Sequence, residues 1–126
     1  MGNYFQKEIE CASADQIRAW QNERLVKQVK NIYDNVPYYR TRMQNKGLEP
    51  GDIKSIDDLH KLPFITKDDL RDAYPYGLLA RPLKDCVRMQ STSGTTGRRV
   101  VAFYTQHDLD LWEDCCARAI VAAGGA

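Results

Sequence analysis

The sequence predicts a mixed α/β chain, α+β in the stretch given. A helix-rich N-terminal region is followed by a strand–loop–strand–helix unit whose sheet is incomplete. Three observations predict this. Apolar residues recur at helical spacing between Ser13 and Pro37. Pro50, Pro63, Pro75 and Pro82 cut the middle of the chain into short pieces. After Asp85, β-branched and aromatic residues replace the helical pattern.

Each element follows from local chemistry. Ser13 with Gln16 forms a capping-box pattern, and Ile17, Trp20, Leu25, Val29, Ile32 and Val36 fall mostly on one helical face. A long amphipathic helix is therefore expected over Ala14 to Asn35, stopping before Pro37. Pro37 suits the first position of a shorter helix that Gly47 ends. "LEPGD" is a turn. Ser55 caps one or two turns of helix before Pro63, and Thr66 caps another short helix with acids in its first turn. "CVRMQ" reads as a strand with Val87 and Met89 on one face. Ser91 to Arg99 is loop, and "VVAFYT" is a mostly buried strand. Thr105 with Asp108 caps a final helix carrying Leu109, Trp112, Cys116, Ile120 and Ala123. The division expected is a helical region over residues 1–83 and the start of an α/β domain over 84–126. Two strands do not complete a sheet, so the chain reads as a fragment whose open sheet could self-associate.

Composition narrows the function. With 126 residues, 43% hydrophobic and 28% charged, the chain has the makings of one globular domain. Its net charge is +1 and its basic residues are interleaved with acids, unlike a nucleic-acid binder. The polar start "MGNYFQKEIE" is not a secretory signal, and "AIVAAGGA" is too short to span a bilayer. A cytoplasmic protein without membrane or nucleic-acid partners is expected. Cys11, Cys86, Cys115 and Cys116 show no CxxC spacing, and packing thiols are expected rather than a metal site.

The chemistry concentrates in "QSTSGTTGRRVVAFYT", Gln90 to Thr105. Ser and Thr provide hydroxyl donors, glycines permit positive φ, and Arg98 with Arg99 provides forked cationic donors. Backbone N–H groups of such a loop can converge on an anion. Neither the Walker A nor the G-x-G-x-x-G spacing is present. Composition alone leaves two readings, a plain surface loop and a polyphosphate cradle.

Elsewhere, Trp20, Tyr33, Tyr38 and Tyr39 lie near Arg40 and Arg42. Core packing with a solvated basic rim is the expected reading, and a coenzyme A or nucleotide platform is the other. The acids of "KDDLRDAYPYG" and the His107–Asp108 pair are expected to serve helix ends, and Trp112 with Cys115–Cys116 to pack on the sheet.

"TSGTTG", Thr92 to Gly97, resembles the phosphate-loop signature of the adenylate-forming acyl-CoA synthetases and ligases. "ERLVKQVKNIYDNVPYYR", "IKSIDDLHKLPFITKDDLRDAYPYGLLA" and "HDLDLWEDCCARAIVAAG" are similar to the phenylacetate–CoA ligase branch. The resemblance runs from about Ile9 to Gly124. It implies that the strands open the large N-terminal domain of such an enzyme. It also implies an activity: an aryl acid, phenylacetate as the family-level guess, attacks the α-phosphate of ATP, and the acyl group then passes to coenzyme A. By the same resemblance, Thr92, Ser93, Gly94, Thr95, Thr96, Gly97 and Arg98 contact the ATP phosphates, with Mg²⁺ accompanying the nucleotide. Arg98 stands where lysine is common and Arg99 where proline is common. Adenine- and ribose-binding motifs and the assisting lysine of the C-terminal domain would lie downstream, so no catalytic residue is assigned here and the isolated chain is expected to be inactive. The alternatives are a non-catalytic interaction module descended from such an enzyme, and an unrelated anion-binding protein.

Overall fold

The computed structural model describes residues 3–94, 97 and 99–125. Thr95, Thr96 and Arg98 of the expected site lie outside the described residues. The chain runs α1 (Lys7–Glu10), α2 (Ala14–Asn35), α3 (Pro37–Asn45), two 3-10 turns (Pro50–Asp52 and Ile56–Lys61) and α4 (Lys67–Asp72). A third 3-10 turn (Leu83–Asp85), β1 (Cys86–Ser91), β2 (Val101–Thr105) and α5 (Gln106–Ala122) complete it.

The caps are where the side chains place them. Ser13 Oγ accepts the Gln16 N–H at 3.2 Å, and Pro37 opens α3 directly after α2. Full capping boxes form at Ser55 with Asp58, Thr66 with Asp69 and Thr105 with Asp108. Each box satisfies helix-end N–H groups that no carbonyl can reach. The Ser55 segment is a 3-10 turn rather than an α-helix.

Among the described residues the fully enclosed apolar core is small. Val29 of α2, Val36 at the α2–α3 junction, Tyr39 and Met43 of α3, and Ile53 after the first 3-10 turn form it. Leu25, Ile32, Leu48, Leu62 and Leu78 close around them. The N-terminal half of α2 projects beyond this core and leaves Ile17 exposed. It is tethered instead by polar bonds. Arg18 pairs with Asp57 at 2.5 Å, and Asn22 Oδ1 accepts the Ile56 N–H at 2.9 Å.

β1 and β2 pair antiparallel, with Ser91 opposite Val101 and Met89 opposite Phe103. A bulge between Cys86 and Arg88 breaks the alternation at Val87, so the single face expected for Val87 and Met89 is interrupted. Both are exposed. β2 is half-buried along its length rather than mostly buried, because a two-stranded sheet has only partial cover. Its two faces have different neighbours: Phe103 meets the Tyr76 ring at 5.5 Å and Tyr104 meets Trp112 of α5 at 5.6 Å. Cys115 and Cys116 are exposed rather than packed on the sheet, since the hairpin is too narrow to cover that flank of α5. All four cysteines are free.

Candidate functional site

The hydroxyl- and glycine-rich loop is the turn of the β1–β2 hairpin. Its neck is closed by two bonds of different kinds. The Thr92 N–H donates to the Val100 carbonyl at 3.0 Å, as the next rung of the ladder. The return bond is not to the Thr92 carbonyl: the Val100 N–H donates to Thr92 Oγ1 at 3.1 Å. The hydroxyl thus replaces the main-chain acceptor and the strands part at that point. Thr92 therefore spends one lone pair on the loop's base while its O–H proton stays available.

Beyond the neck the chain turns on glycine. Gly94 has φ +69° and Gly97 φ +134°, and the Gly97 N–H donates to the Gly94 carbonyl at 3.3 Å. No non-glycine residue among those described has positive φ. A Cβ on Gly94 would stand 2.7 Å from Arg99 Cγ and 3.4 Å from Arg99 Nε, so the Arg99 side chain lies back over that glycine. Among the described residues a Cβ on Gly97 would meet nothing within 4 Å, so there glycine serves the backbone angle. The structure thus brings together Thr92, Gly94 and Gly97 of the expected site, with Ser93 exposed between them. It adds Arg99, which the loop's composition offered as a cationic donor but which the resemblance left outside the set.

A cleft of about 740 Å³ opens on the other side of the hairpin. It lies between the Tyr74–Arg81 segment and the end of β2 with the start of α5, and includes Cys86, Phe103, His107 and Asp108. None of the described loop residues lines it. Asp108 there is committed to its cap: the Thr105 N–H and hydroxyl both donate to it at 2.8 Å and hold its carboxyl below the usual range.

The aromatic–arginine group near α3 is structural. The Tyr39 hydroxyl donates to the Pro63 carbonyl at 2.8 Å. Arg40 donates to the Tyr33 and Asp34 carbonyls at 2.7 and 2.8 Å. Arg42 pairs with buried Asp69 and stacks over Tyr38 at 5.1 Å. These arginines are not a solvated rim; their donors fasten the end of α2 and the start of α4. Asp69 also accepts the Thr66 N–H at 2.7 Å and the Tyr38 hydroxyl at 2.7 Å, and these bonds lower its pKa to about 2. Among the described residues no group of three or more His, Cys, Asp or Glu is placed to hold a metal ion. No helix of the described residues is long and apolar enough to cross a membrane.

No family model matches the chain. Among individual proteins the similarity is clear. The phenylacetate-coenzyme A ligase of Pseudomonas putida is 49% identical over 117 residues, and that of Escherichia coli (strain K12) 45% over 118. The Thermus thermophilus ligase is 40% identical over 120 residues. These alignments take in 93–95% of this chain but 27% of each ligase, so the chain spans about a quarter of the curated relatives it matches. A crystal structure of 2-hydroxyisobutyryl-CoA ligase with 2-HIB-AMP and CoA superposes with a TM-score of 0.83 at 25% identity, over 94% of this chain and 26% of that one. The same ligase in its postadenylation state gives 0.80 over 91% of this chain and 25% of that one. In sequence this chain matches the N-terminal portion of the phenylacetate-coenzyme A ligases, and its fold is that of the N-terminal part of an adenylate-forming CoA ligase.

Proposed function

We propose that the chain supplies the ATP phosphate-binding loop of an aryl acid–coenzyme A ligase. The observation that carries this reading is the hairpin turn Thr92–Val100, with hydroxyls, left-handed glycines and arginine at one tip, in a chain that matches these ligases. In the reaction so assigned, an aryl carboxylate oxygen attacks the α-phosphorus of ATP. The bond to the β-phosphate bridge breaks and pyrophosphate leaves. The thiolate of coenzyme A then attacks the acyl carbonyl and AMP leaves. This segment's part is electrostatic and positional. Thr92 and Ser93 hydroxyls, with Thr95, Thr96 and Arg98 as the further donors, hold the β- and γ-phosphates while the leaving group separates. Mg²⁺ arriving with the nucleotide would share that charge. The four free cysteines suit a reducing cytoplasm. Phenylacetate is the proposed acid.

The test is direct. The 126-residue chain should bind ATP in titration calorimetry, and Thr92→Val with Ser93→Ala should weaken it. The chain alone should show no phenylacetate-dependent exchange of pyrophosphate into ATP, because the adenine, ribose and acyl contacts are assigned to the rest of a longer ligase. Exchange activity in the isolated chain would sink that part of the reading.

One observation favours a second reading, a non-catalytic module. Every fully buried residue among those described lies between Val29 and Ala73, so the helical region encloses its own core. A chain that folds and binds no nucleotide would support it.

A further inference from the structure

We propose that Arg99 is a ligand-contacting residue of this loop, taking a diphosphate group: the terminal phosphates of a nucleoside triphosphate, or free pyrophosphate. The inference rests on the phosphate-loop reading above and extends it to a residue that reading omits.

Three independent observations point there. The first is direction. An exposed arginine ordinarily extends into water, where its rotamers are free. Arg99 instead folds back so that its Cγ occupies the space a Gly94 side chain would need. Its stem bridges the two limbs of the turn, and its Nε sits over the left-handed glycine. The second is availability. Arg18, Arg40, Arg42, Arg71 and Arg118 all donate to named acceptors. Among the described residues Arg24, Arg81, Arg88 and Arg99 make no hydrogen bond or ion pair, and of these four Arg99 alone lies in the loop, where its N–H donors are left for a ligand. The third is field. No Asp or Glu stands between Asp85 and Asp108, a stretch that contains Arg88, Arg98 and Arg99. The hairpin therefore presents positive charge with no internal counter-ion. A guanidinium matches the paired oxygens of a phosphate in two parallel bonds, which a lysine cannot reproduce. A diphosphate, rather than a single ester phosphate, carries the charge that a stretch with three arginines and no acid would attract.

The experiment is titration of the 126-residue chain with inorganic pyrophosphate, ATP and AMP. It compares wild type with Arg99→Met, which keeps the stem, and Arg99→Lys, which keeps the charge without the fork. Far-UV circular dichroism checks that each folds. Arg99→Met should bind pyrophosphate and ATP about tenfold more weakly, Arg99→Lys should fall between, and AMP should be unaffected by either substitution. Equal loss for pyrophosphate and ATP assigns the contact to the shared diphosphate. Equal loss for AMP would place Arg99 on the wrong phosphate and overturn the inference. If wild type binds pyrophosphate and Arg99→Met binds it equally well, Arg99 merely packs on Gly94 and the inference fails while the phosphate loop stands. If wild type binds neither pyrophosphate nor ATP, the phosphate-loop reading itself falls, and Arg99 with it.

Discussion

Gly94→Ala perturbs two things at once, and the structure separates them. The backbone at Gly94 has φ +69°, in the left-handed region. There an L-residue costs about 1–2 kcal/mol relative to glycine. The new Cβ would also lie 2.7 Å from Arg99 Cγ, inside any real carbon–carbon contact, so the Arg99 side chain must leave. Gly97→Ala is the control. Its φ of +134° is also costly, but among the described residues its Cβ meets nothing within 4 Å. In urea melts both variants should lose stability, Gly94→Ala by about 1–2 kcal/mol and Gly97→Ala by about 1–3 kcal/mol. Only Gly94→Ala should be coupled to Arg99. Combined with Arg99→Ala, its effect on pyrophosphate affinity should fall short of the sum by more than about 0.5 kcal/mol, while Gly97→Ala with Arg99→Ala should add. If Gly94→Ala and Arg99→Ala add cleanly, the side chain does not rest on Gly94 in solution. If Gly94→Ala melts like wild type, the turn is not held left-handed at all.

Three further outcomes follow from the same geometry. Met43→Ala empties a fully enclosed site among Val29, Val36, Tyr39 and Ile53 and should cost about 2–5 kcal/mol by denaturant titration. Thr92→Val removes the hydroxyl that accepts the Val100 N–H. Loss of about 1 kcal/mol there should speed exchange of that amide roughly fivefold, with α2 and α3 amides unchanged. For acid, the sign is fixed by Asp69. Its folded pKa, about 2, lies below the ordinary 3.8, so its contribution is complete above pH 4 and is lost as pH falls from about 4 towards 2. Asp69→Asn should therefore lower stability at neutral pH and make that acid limb shallower, with Asp58, also lowered to about 2, and Asp108 carrying the rest.

What was legible in the sequence was local. Ser13, Ser55, Thr66 and Thr105 announce helix starts because the capping side chain and its N–H lie two or three residues apart, and all four cap in the fold. The hairpin was legible because β-branched and aromatic residues flank a glycine turn. What was not legible depends on distant partners. Ile53 enters the core only because a 3-10 turn folds it onto α2 and α3. Arg42 finds Asp69 across 27 positions, so its charge reads as surface until the fold is known. α1 has no side-chain cap to announce it. The bulge at Val87 follows from pairing rather than composition. In the loop, residue types suggested phosphate, but only coordinates show Thr92 partly spent on the neck and Arg99 folded inward.

The proposed phosphate loop is only as well placed as the base that carries it, and here the base is thinly attached. Every fully buried residue described lies between Val29 and Ala73, and none belongs to β1, β2 or α5. Between the hairpin and the Tyr74–Arg81 segment, Tyr76 and Phe103 make an aromatic contact at 5.5 Å. Such a pair contributes about 0.5–1.5 kcal/mol, and Tyr76 is exposed enough to place it at the low end. Tyr76→Ala should therefore loosen the hairpin without touching the core. Native-state hydrogen exchange reads this directly: β1 and β2 amides should lose protection while those of Val29, Val36 and Met43 keep theirs. Pyrophosphate, if the loop binds it, should restore the lost protection, because binding favours the state in which the neck is closed. Equal loss of protection in the hairpin and around Met43 would refute the argument. It would mean that residues 1–83 and 84–126 unfold as one unit, and that the loop inherits the rigidity of a core it does not touch.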